Sequence, residues 1–330
     1  MMKGALRRAE SSGSPATIMR LRMHTAVERT LRQLQDSEHR DDFSVRGAWS
    51  FAVWLGDLPR STRGLDLVHH GRHADPVAIL REVFPQVGND ALIWDGLDVS
   101  EVGSAWTRRS RIRLRTPIQD VVVPLVVDIA HHVGAPLYVE RLGVVPVSGR
   151  RFLVNCMSKE WLFAEKCALL VTYGPDHTRL QDLFDLLEMS RNFQFQGTAL
   201  CEAFQIVASS RDAERMVRRH DGYWEASLDR RRCSSGSLRR WEAITSTGPG
   251  QRSFACLQQA IAGVRDFVWP ILDAVRAEQD HPAVWRPGLG WGSRIRRQPC
   301  MPAQLPLPFD TAAKRTGRCA LKPLFEEQKP

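Results

Sequence analysis

The sequence predicts an α/β fold of the α+β type, in which a mixed β-sheet with flanking helices is followed by a helical domain. Its length of 330 residues allows about two domains. In the first half, short apolar runs alternate with helical patterns, and Val121–Ala130 is an almost continuous β-branched run, typical of a buried central strand. From Ser158 onward, apolar residues recur at helical spacing instead. We therefore expect a sheet domain at residues 1–155, a helical domain at residues 156–286 and a weakly structured basic tail at residues 287–330.

The first elements of the sheet domain are delimited by glycines. We predict a helix at Ile18–Leu34 from its near-helical apolar spacing. A strand at Phe43–Arg46 then leads through Gly47 into a short helix that starts at Ala48 and ends at Gly56. After a polar loop, the next predicted strand, residues 64–68, carries Asp66.

The rest of the sheet domain contains a capped helix and further strands. Asp75 can cap a helix that has Pro76 in its first position and runs to Phe84. Strands are predicted at residues 92–94 and 112–115, the latter with a basic face and an end at Pro117. In the central run, Pro124 indicates a bend or an edge position early in the strand.

The helical domain is predicted from apolar faces that repeat at helical spacing. The predicted helices are Trp161–Thr172, Leu180–Met189, Thr198–Val207 and Ser253–Glu278, the last with a possible kink at Pro270. Residues 211–240 are basic and partly irregular, and the residues after 286 are rich in Gly, Pro and Arg.

The charge balance suits a polyanionic partner. The formal net charge is +9 and the isoelectric point is about 9.6. Most of the excess lies in residues 189–330, which is compatible with a partner that has a phosphate backbone. An arginine-rich genome would produce the same excess, so charge alone leaves both explanations open.

The chain carries no sequence signal for a membrane or for secretion. Its longest apolar runs are far shorter than the ~20 residues that span a bilayer. The N-terminal residues include charges and no apolar segment, which argues against a signal peptide and predicts a cytoplasmic protein. The seven cysteines are scattered without a CxxC pair, which favours reduced thiols over a disulfide framework or a zinc site.

Two aspartates on predicted strands are candidate metal ligands. The glycine turn at Gly47 opens a helix, whose N-terminal N–H groups can bind a phosphate. Asp66 on the next strand can hold a divalent metal beside that phosphate. Asp128 ends a strongly apolar run, where a carboxylate is costly to bury unless it binds something. The alternative is a hydrogen-bonded aspartate in the core.

Two further charged residues lie on the predicted helices. Lys166 could neutralise a triphosphate, and Asp182 could accept a proton from an attacking hydroxyl or orient the substrate. The alternatives are a surface lysine that extends along the helix, and solvated surface charges at Asp182 and Asp185.

The order of these motifs resembles the nucleotidyl transferase AbiEii/AbiGii toxin family, within the DNA polymerase β-type nucleotidyltransferase superfamily. The resemblance covers nearly the whole chain, and its strength comes from the joint presence of several motifs. The matching segments are Val27–Leu31, the turn Arg46-Gly47-Ala48, Arg60–Asp66, Val126–Ile129, Glu160–Lys166 with its AEK sequence, and Arg179–Asp185.

This resemblance implies a nucleotidyltransferase-type fold and transfer of a nucleoside monophosphate from an NTP to an acceptor, with Mg²⁺ or Mn²⁺ as cofactor. It also implies a toxin of a bacterial toxin–antitoxin or abortive-infection system, a winged-helix antitoxin as partner, and an RNA acceptor such as the tRNA 3′ end. The implied catalytic residues are Asp66, Asp128, Lys166 and Asp182, of which Asp66 and Asp128 bind the metal. The implied nucleotide-binding residues are Arg46, Gly47, Ala48, Ser50, Arg60, Thr62 and Arg179.

Two departures from the family pattern leave an alternative open. Gly64 stands where the family has the first aspartate of its DxD motif, and Gln181 replaces a lysine. His70 shares the Asp66 face and could replace the missing ligand, although a solvated histidine at the strand end is favoured. The alternative is therefore an impaired member that acts by binding a nucleotide, RNA or protein. A third hypothesis is a small-molecule transferase of the antibiotic-modifying kind. The AEK motif and the residues after Arg179 argue against it.

Overall fold

A computed structural model describes most of the chain between residues 15 and 292. The described ranges are 15–62, 64–71, 75–85, 91–101, 108–131, 138–147, 150–173, 180–210, 234–246 and 256–292. Contacts between residues divide the chain into two units, Met1–Arg294 and Ile295–Pro330, and every described residue lies in the first. The proposed boundary near residue 155 stays a prediction.

A seven-stranded mixed sheet forms the first part of the fold. Its strands lie in the order β3-β4-β5-β2-β1-β7-β6. The β2–β5 and β1–β7 pairs are parallel and the other pairs are antiparallel, which confirms the predicted mixed sheet. The strands are β1 (Phe43–Arg46), β2 (Gly64–His69), β3 (Ile93–Glu101), β4 (Arg108–Ile118), β5 (Val121–His131), β6 (Val139–Val144) and β7 (Phe152–Met157).

Helices flank this sheet and make up most of the second part. The described helices are α1 (Pro15–Asp36), α2 (Trp49–Leu55), α3 (Pro76–Val83), α4 (Lys159–Tyr173), α5 (Leu180–Asn192), α6 (Gly197–Ser210), α7 (Ser235–Thr245) and α8 (Leu257–Arg276). Asp75 caps α3 as predicted, because its carboxylate accepts the Val77 N–H at 3.1 Å. Pro270 lies inside α8. The predicted segment at residues 211–233 lies outside the described residues.

Two apolar cores meet at the sheet and position the site. The first joins α1, α2 and α3 to one face of the sheet. The second is built from the helices after residue 157, and it includes Val68 of β2 and Ala130 of β5. Side chains alternate along a strand, so Asp66 and Asp128 lie on the same face as Val68 and Ala130, two residues earlier. Both aspartates are therefore at the edge of the second core, where the face begins to open.

The prolines of the β4–β5 hairpin show how a strand accommodates them. β2 pairs with β5 only from Val126 onward, so Pro124 lies where β5 is bonded to β4 and not to β2. This confirms the predicted edge position. Pro117, however, does not end β4, because it still pairs with Val122 before the turn at Gln119.

A small second sheet corrects the predicted start of the tail. Strands β8 (Phe195–Gln196), β9 (Val284–Arg286) and β10 (Gly290–Gly292) form it. The Trp291 indole donates a hydrogen bond to the Phe267 carbonyl at 3.1 Å, and its ring contacts Trp285. Residues 287–292 are thus part of the fold and not of the predicted tail.

None of the helices in the described part of the chain combines the length and the apolar character that crossing a bilayer requires.

Candidate active site

Four charged side chains stand in one row across four neighbouring strands. Arg46 on β1 is opposite Asp66 on β2, and Asp66 is opposite Asp128 on β5. Asp128 is opposite Arg111 on β4. Register partners project from the same face of a sheet, so the row forms one charged surface. The structure thus brings together the two aspartates predicted as metal ligands, although they lie far apart in the sequence.

The glycine turn lies directly on the Asp66 carboxylate. Gly47 has φ = +66°, a left-handed conformation that other residues adopt only with strain. A methyl group at this position would also collide with Asp66 Oδ2. Both constraints require glycine here, and together they place the start of α2 beside the aspartates.

The environment of Asp66 raises the pKa of its carboxyl group. Burial raises the pKa of this carboxyl group; Arg46 lowers it and the Asp128 charge raises it again, so the pKa lies above its ordinary value of 3.8. Arg46 is itself engaged, because its Nη1 donates to Glu165 Oε1 on α4 at 2.7 Å. Arg46 is therefore shared between Asp66 and Glu165, and a bound cation would add to the neutralisation of the two aspartates.

Asp128 and Arg111 form an ion pair that is open to solvent. Arg111 donates from Nε and Nη2 to the two carboxylate oxygens of Asp128 at 2.8 and 2.9 Å. The Arg111 side chain is 53% exposed and that of Asp128 is 20% exposed. This hydrogen bonding raises the pKa of Arg111 further, so the guanidinium stays charged.

The helix side of the site carries a buried charge network. Lys166 Nζ on α4 lies 2.7 Å from Asp182 Oδ1 and 2.9 Å from Asp185 Oδ2 on α5. Arg60 donates from Nε and Nη2 to the two Asp185 oxygens at 2.7 and 2.8 Å. All four side chains are buried. The alternatives of a surface lysine and of solvated helix charges, which the sequence left open, are therefore excluded.

The charges in this network stabilise one another against burial. Burial lowers the pKa of Lys166, but the carboxylates of Asp182 and Asp185 outweigh it, so the pKa is raised. Burial likewise raises the pKa of Asp185, but Arg60 and Lys166 bring it below the ordinary value. The ammonium, the guanidinium and the Asp185 carboxylate are thus all held in their charged forms.

A cleft of about 630 Å³ separates the sheet side from the helix side. Within the described residues, it is lined by six basic and four acidic side chains. From the sheet and its loops come Arg46, Arg60, Asp66, Arg109, Arg111 and Asp128, together with Gly47, Ala48 and Thr62. From the helices come Glu165, Lys166, Asp182 and Arg240, together with Gln181. The cationic surplus suits a polyanionic ligand.

Not every predicted nucleotide-binding residue faces this cleft. The side chain of Ser50 is fully buried next to the Cys156 thiol, and the residues that line the cleft do not include it. The described structure therefore turns the Ser50 side chain toward the core, and its nucleotide-binding role stays a prediction. Arg179 lies outside the described residues.

Sequence reasoning missed the partners of several predicted residues. Asp185 ends the Arg179–Asp185 motif, and the only role predicted for it by itself was that of a surface charge, yet it is the centre of the buried network. The spacing of Asp182 and Asp185 on one helix is the available signal. Arg111 lies outside the strand predicted at residues 112–115, and it extends the basic face predicted there. Glu165 precedes Lys166 in the AEK motif, but nothing in the sequence pairs it with Arg46.

The loop and strand around Gly64 depart from what the motif led us to expect. A side chain at position 64 would collide with the Val126 carbonyl oxygen of β5, so the two strands approach more closely than a larger residue allows. His70 is not a solvated strand-end residue either, because it is buried and its Nε2 lies 2.8 Å from Ser44 Oγ. That expectation is wrong. The hydrogen bond occupies only one ring nitrogen, and His70 is not among the described residues that line the cleft with Asp66 and Asp128.

The sequence profile of the nucleotidyl transferase AbiEii toxin family, which belongs to type IV toxin–antitoxin systems, matches residues 29–246. The chain belongs to this family. The match covers most of the chain and confirms the resemblance based on its motifs. No curated protein matches the chain. Membership of the AbiEii toxin family supports nucleotidyltransferase activity in general, a nucleotide substrate and an antitoxin partner.

Two solved structures are distantly similar to this AbiEii family member. JHP933 from Helicobacter pylori is 15% identical over 78% of this chain and 91% of its own, with a TM-score of 0.40. MenT4, a nucleotidyltransferase toxin from Mycobacterium tuberculosis, is 14% identical over 84% of this chain and 99% of its own, with a TM-score of 0.47. At these values the family assignment rests on the sequence profile.

Nucleotidyltransferases of the AbiEii kind generally use divalent metal ions, and the residues present fit one such ion. Mg²⁺ is commonly held by one or two carboxylates together with the substrate phosphates, and Asp66 and Asp128 offer that set. In the described ranges, no group of three or more His, Cys, Asp or Glu side chains is placed to hold a metal. With Gly64 at the first motif position, the donor set fits a single ion better than a pair.

Proposed function

We propose that this protein is a metal-dependent nucleotidyltransferase toxin that transfers a nucleoside monophosphate from an NTP to an RNA acceptor, with the tRNA 3′ end as the first candidate. The observation that carries the proposal is the register pairing of Asp66 with Asp128 beside the glycine turn. A phosphate site and two carboxylates on one face are what nucleotidyl transfer needs.

The reaction balances without a redox partner. The acceptor hydroxyl oxygen forms a bond to the α-phosphorus of the NTP, and the bond from that phosphorus to the bridging oxygen of the β-phosphate breaks. Pyrophosphate leaves with the electron pair. The hydroxyl proton passes to a carboxylate of the cleft, and Asp182 is our candidate acceptor because it lines the cleft and is held in place by Lys166.

The remaining roles follow from position and charge. We assign the phosphate chain of the nucleotide to the backbone of Gly47 and Ala48 and to the basic residues that line the cleft. Asp66 and Asp128 would hold Mg²⁺ or Mn²⁺, which would neutralise charge on the reacting phosphate. Lys166 and Arg60 are already bonded to carboxylates, so we assign them to positioning Asp182 and Asp185.

A labelling assay tests this function. Purified protein would be incubated with total tRNA, Mg²⁺ or Mn²⁺, and each NTP labelled at its α-phosphate. We expect labelled RNA with the native protein and a loss of roughly 100-fold or more in Asp66→Asn, because the carboxylate that anchors the cation is gone. Asp95→Asn is the matched control, since Asp95 is an exposed aspartate that pairs with Arg115 outside the cleft.

Two results would overturn the proposal: equal labelling by the native protein and Asp66→Asn, or no labelling of RNA with any NTP. The second result would favour the impaired member that binds without turnover, for which Gly64 is the specific observation. Restoring an aspartate by Gly64→Asp is a poor rescue test, because its side chain would meet the backbone of β5 at Val126.

A further inference from the structure

A second cavity lies beside Gly64, on the sheet face that carries the candidate metal ligands. It has a volume of about 390 Å³, and we call it the Gly64 pocket. It shares part of its lining with the main cleft, namely Thr62, Asp66, Arg111 and Asp128. Its own lining includes Gly64, Val126 and Arg113.

The two aspartates separate the Gly64 pocket from the glycine turn. Gly47 and Ala48 line the main cleft, and neither lines the Gly64 pocket. Arg113 lines the Gly64 pocket and not the main cleft. A ligand atom held over Asp66 and Asp128 would therefore have the glycine turn on one side and Arg113 on the other.

In-line phosphoryl transfer needs separate binding sites for the acceptor and for the leaving group, on opposite sides of the reacting phosphorus. The attacking oxygen and the leaving oxygen lie on opposite sides of the reacting phosphorus. In the proposed function the leaving pyrophosphate lies toward the glycine turn, so the acceptor must arrive from the opposite side. The Gly64 pocket lies on that side, toward Val126 of β5 and Arg113 of β4.

Arg113 has the chemistry and the freedom to bind a phosphate there. Its guanidinium pairs with Asp98, but both side chains are about half exposed, at 46% and 56%, so this ion pair costs little to break. Gly96 on β3 leaves room for it, because a methyl group there would lie 2.7 Å from Arg113 Nη2. A guanidinium fork matches the two oxygens of a phosphate group.

We propose that the Gly64 pocket is the acceptor subsite and that Arg113 binds the phosphodiester next to the reacting terminal hydroxyl, so that the acceptor is an RNA strand. This inference rests on the proposed function. It places the acceptor beside the position where the family has the first aspartate of its motif and this chain has Gly64. The next arginine along β4, Arg115, lines neither cavity.

A binding cycle tests the contact directly. The probe is a short RNA hairpin with a single-stranded 3′ end, made with a natural phosphodiester or with an uncharged methylphosphonate at its last linkage. Dissociation constants are measured by fluorescence anisotropy at near-physiological salt for the native protein, Arg113→Gln and Arg115→Gln. Arg115 is the matched control because it lies on the same strand face, is 52% exposed and also pairs with an aspartate.

We expect Arg113→Gln to weaken binding of the natural probe by roughly 10-fold. The methylphosphonate should weaken binding to the native protein by a similar factor. It should cause no further loss of affinity in Arg113→Gln, because both changes remove the same contact between Arg113 and the phosphate. Arg115→Gln should leave the response to the methylphosphonate intact. Additive losses in Arg113→Gln, an equal effect in Arg115→Gln, or no binding of RNA by the native protein would overturn the inference.

The same variants separate this inference from the proposed function. If the native protein transfers no label but the binding cycle shows coupling at Arg113, the transfer reaction fails while the RNA subsite stands. If Arg113→Gln labels RNA as well as the native protein does and the cycle is additive, the transfer reaction stands and the acceptor subsite is overturned.

Discussion

The two sides of the cleft hold aspartate–arginine pairs of nearly identical geometry in opposite surroundings. On the helix side, Arg60 binds both oxygens of Asp185 at 2.7 and 2.8 Å, and Asp185 is completely buried. On the sheet side, Arg111 binds both oxygens of Asp128 at 2.8 and 2.9 Å, but more than half of the Arg111 side chain is exposed. The same type of ion pair is therefore buried on the helix side and open to solvent on the sheet side.

This difference in burial indicates that the buried pair holds the site in place, whereas the exposed pair can exchange partners during the reaction. A buried charge network is costly to disturb, since each member neutralises the others in a medium of low dielectric constant. Lys166 and Asp182 are thus held in one arrangement by Arg60 and Asp185. An exposed pair is easily exchanged for another partner, so Asp128 can release Arg111 when a cation or substrate arrives.

The largest expected effect is on stability, from breaking the buried pair. Asp185→Asn removes the carboxylate that pairs with Arg60 and one of the two that pair with Lys166, which leaves an excess of buried positive charge. We therefore expect it to lower the free energy of unfolding by about 3–5 kcal/mol. Asp128→Asn is the matched variant on the sheet side, and we expect it to cost about 1 kcal/mol or less. Urea denaturation followed by circular dichroism measures both. Equal losses would mean that burial does not distinguish the two pairs.

A smaller effect is expected where the glycine turn touches the sheet side. Gly47→Ala and Gly56→Ala both place a side chain at positive φ, at +66° and +77°, which costs about 1–2 kcal/mol. Only Gly47 has a neighbour in the way, because nothing lies within 4 Å of a methyl group at Gly56.

The difference in stability and activity between these two alanine variants measures the effect of the contact between position 47 and Asp66. We expect Gly47→Ala to be the less stable of the two in urea denaturation, and to lose RNA labelling while Gly56→Ala keeps it. If the two variants match in both measurements, the close approach of Gly47 to Asp66 has no consequence for the site.

The smallest effect concerns the half-buried carboxyl group of Asp66. The pKa of Asp66 is higher in the folded protein than in the unfolded chain, so at a pH above 3.8 the folded state holds this proton more tightly. Ionisation of the carboxyl group at higher pH therefore lowers the free energy of unfolding of the native protein. Without a cation, Asp66→Asn should therefore be more stable than the native protein at neutral pH. The advantage should disappear below pH 3.8, where the group is protonated in both the folded and the unfolded chain.

Urea denaturation in a metal chelator across this pH range measures the advantage. A difference between Asp66→Asn and the native protein that does not depend on pH would contradict the raised pKa. A stability advantage of Asp66→Asn that is present at acidic pH and absent at neutral pH would mean that the pKa of Asp66 is lowered and not raised.

The sequence by itself determined the parts of this site that depend on local patterns. The turn at Gly47 and the strand that carries Asp66 could be predicted because glycine and alternating apolar residues act over a few neighbours. The same holds for Asp128, at the end of a β-branched run, and for the helix that carries Lys166. The order of these motifs was enough to predict the family, which the profile match confirmed.

Only the tertiary structure decided which groups meet. The pairing of Arg60 with Asp185 and of Arg46 with Glu165 joins segments more than a hundred residues apart. Arg111 reaches Asp128 only through the register of the β4–β5 hairpin. Strand register and helix packing are set by the whole apolar core, and a local pattern does not encode them. For the same reason the burial of Ser50 and the pocket beside Gly64 could be found only in the folded chain.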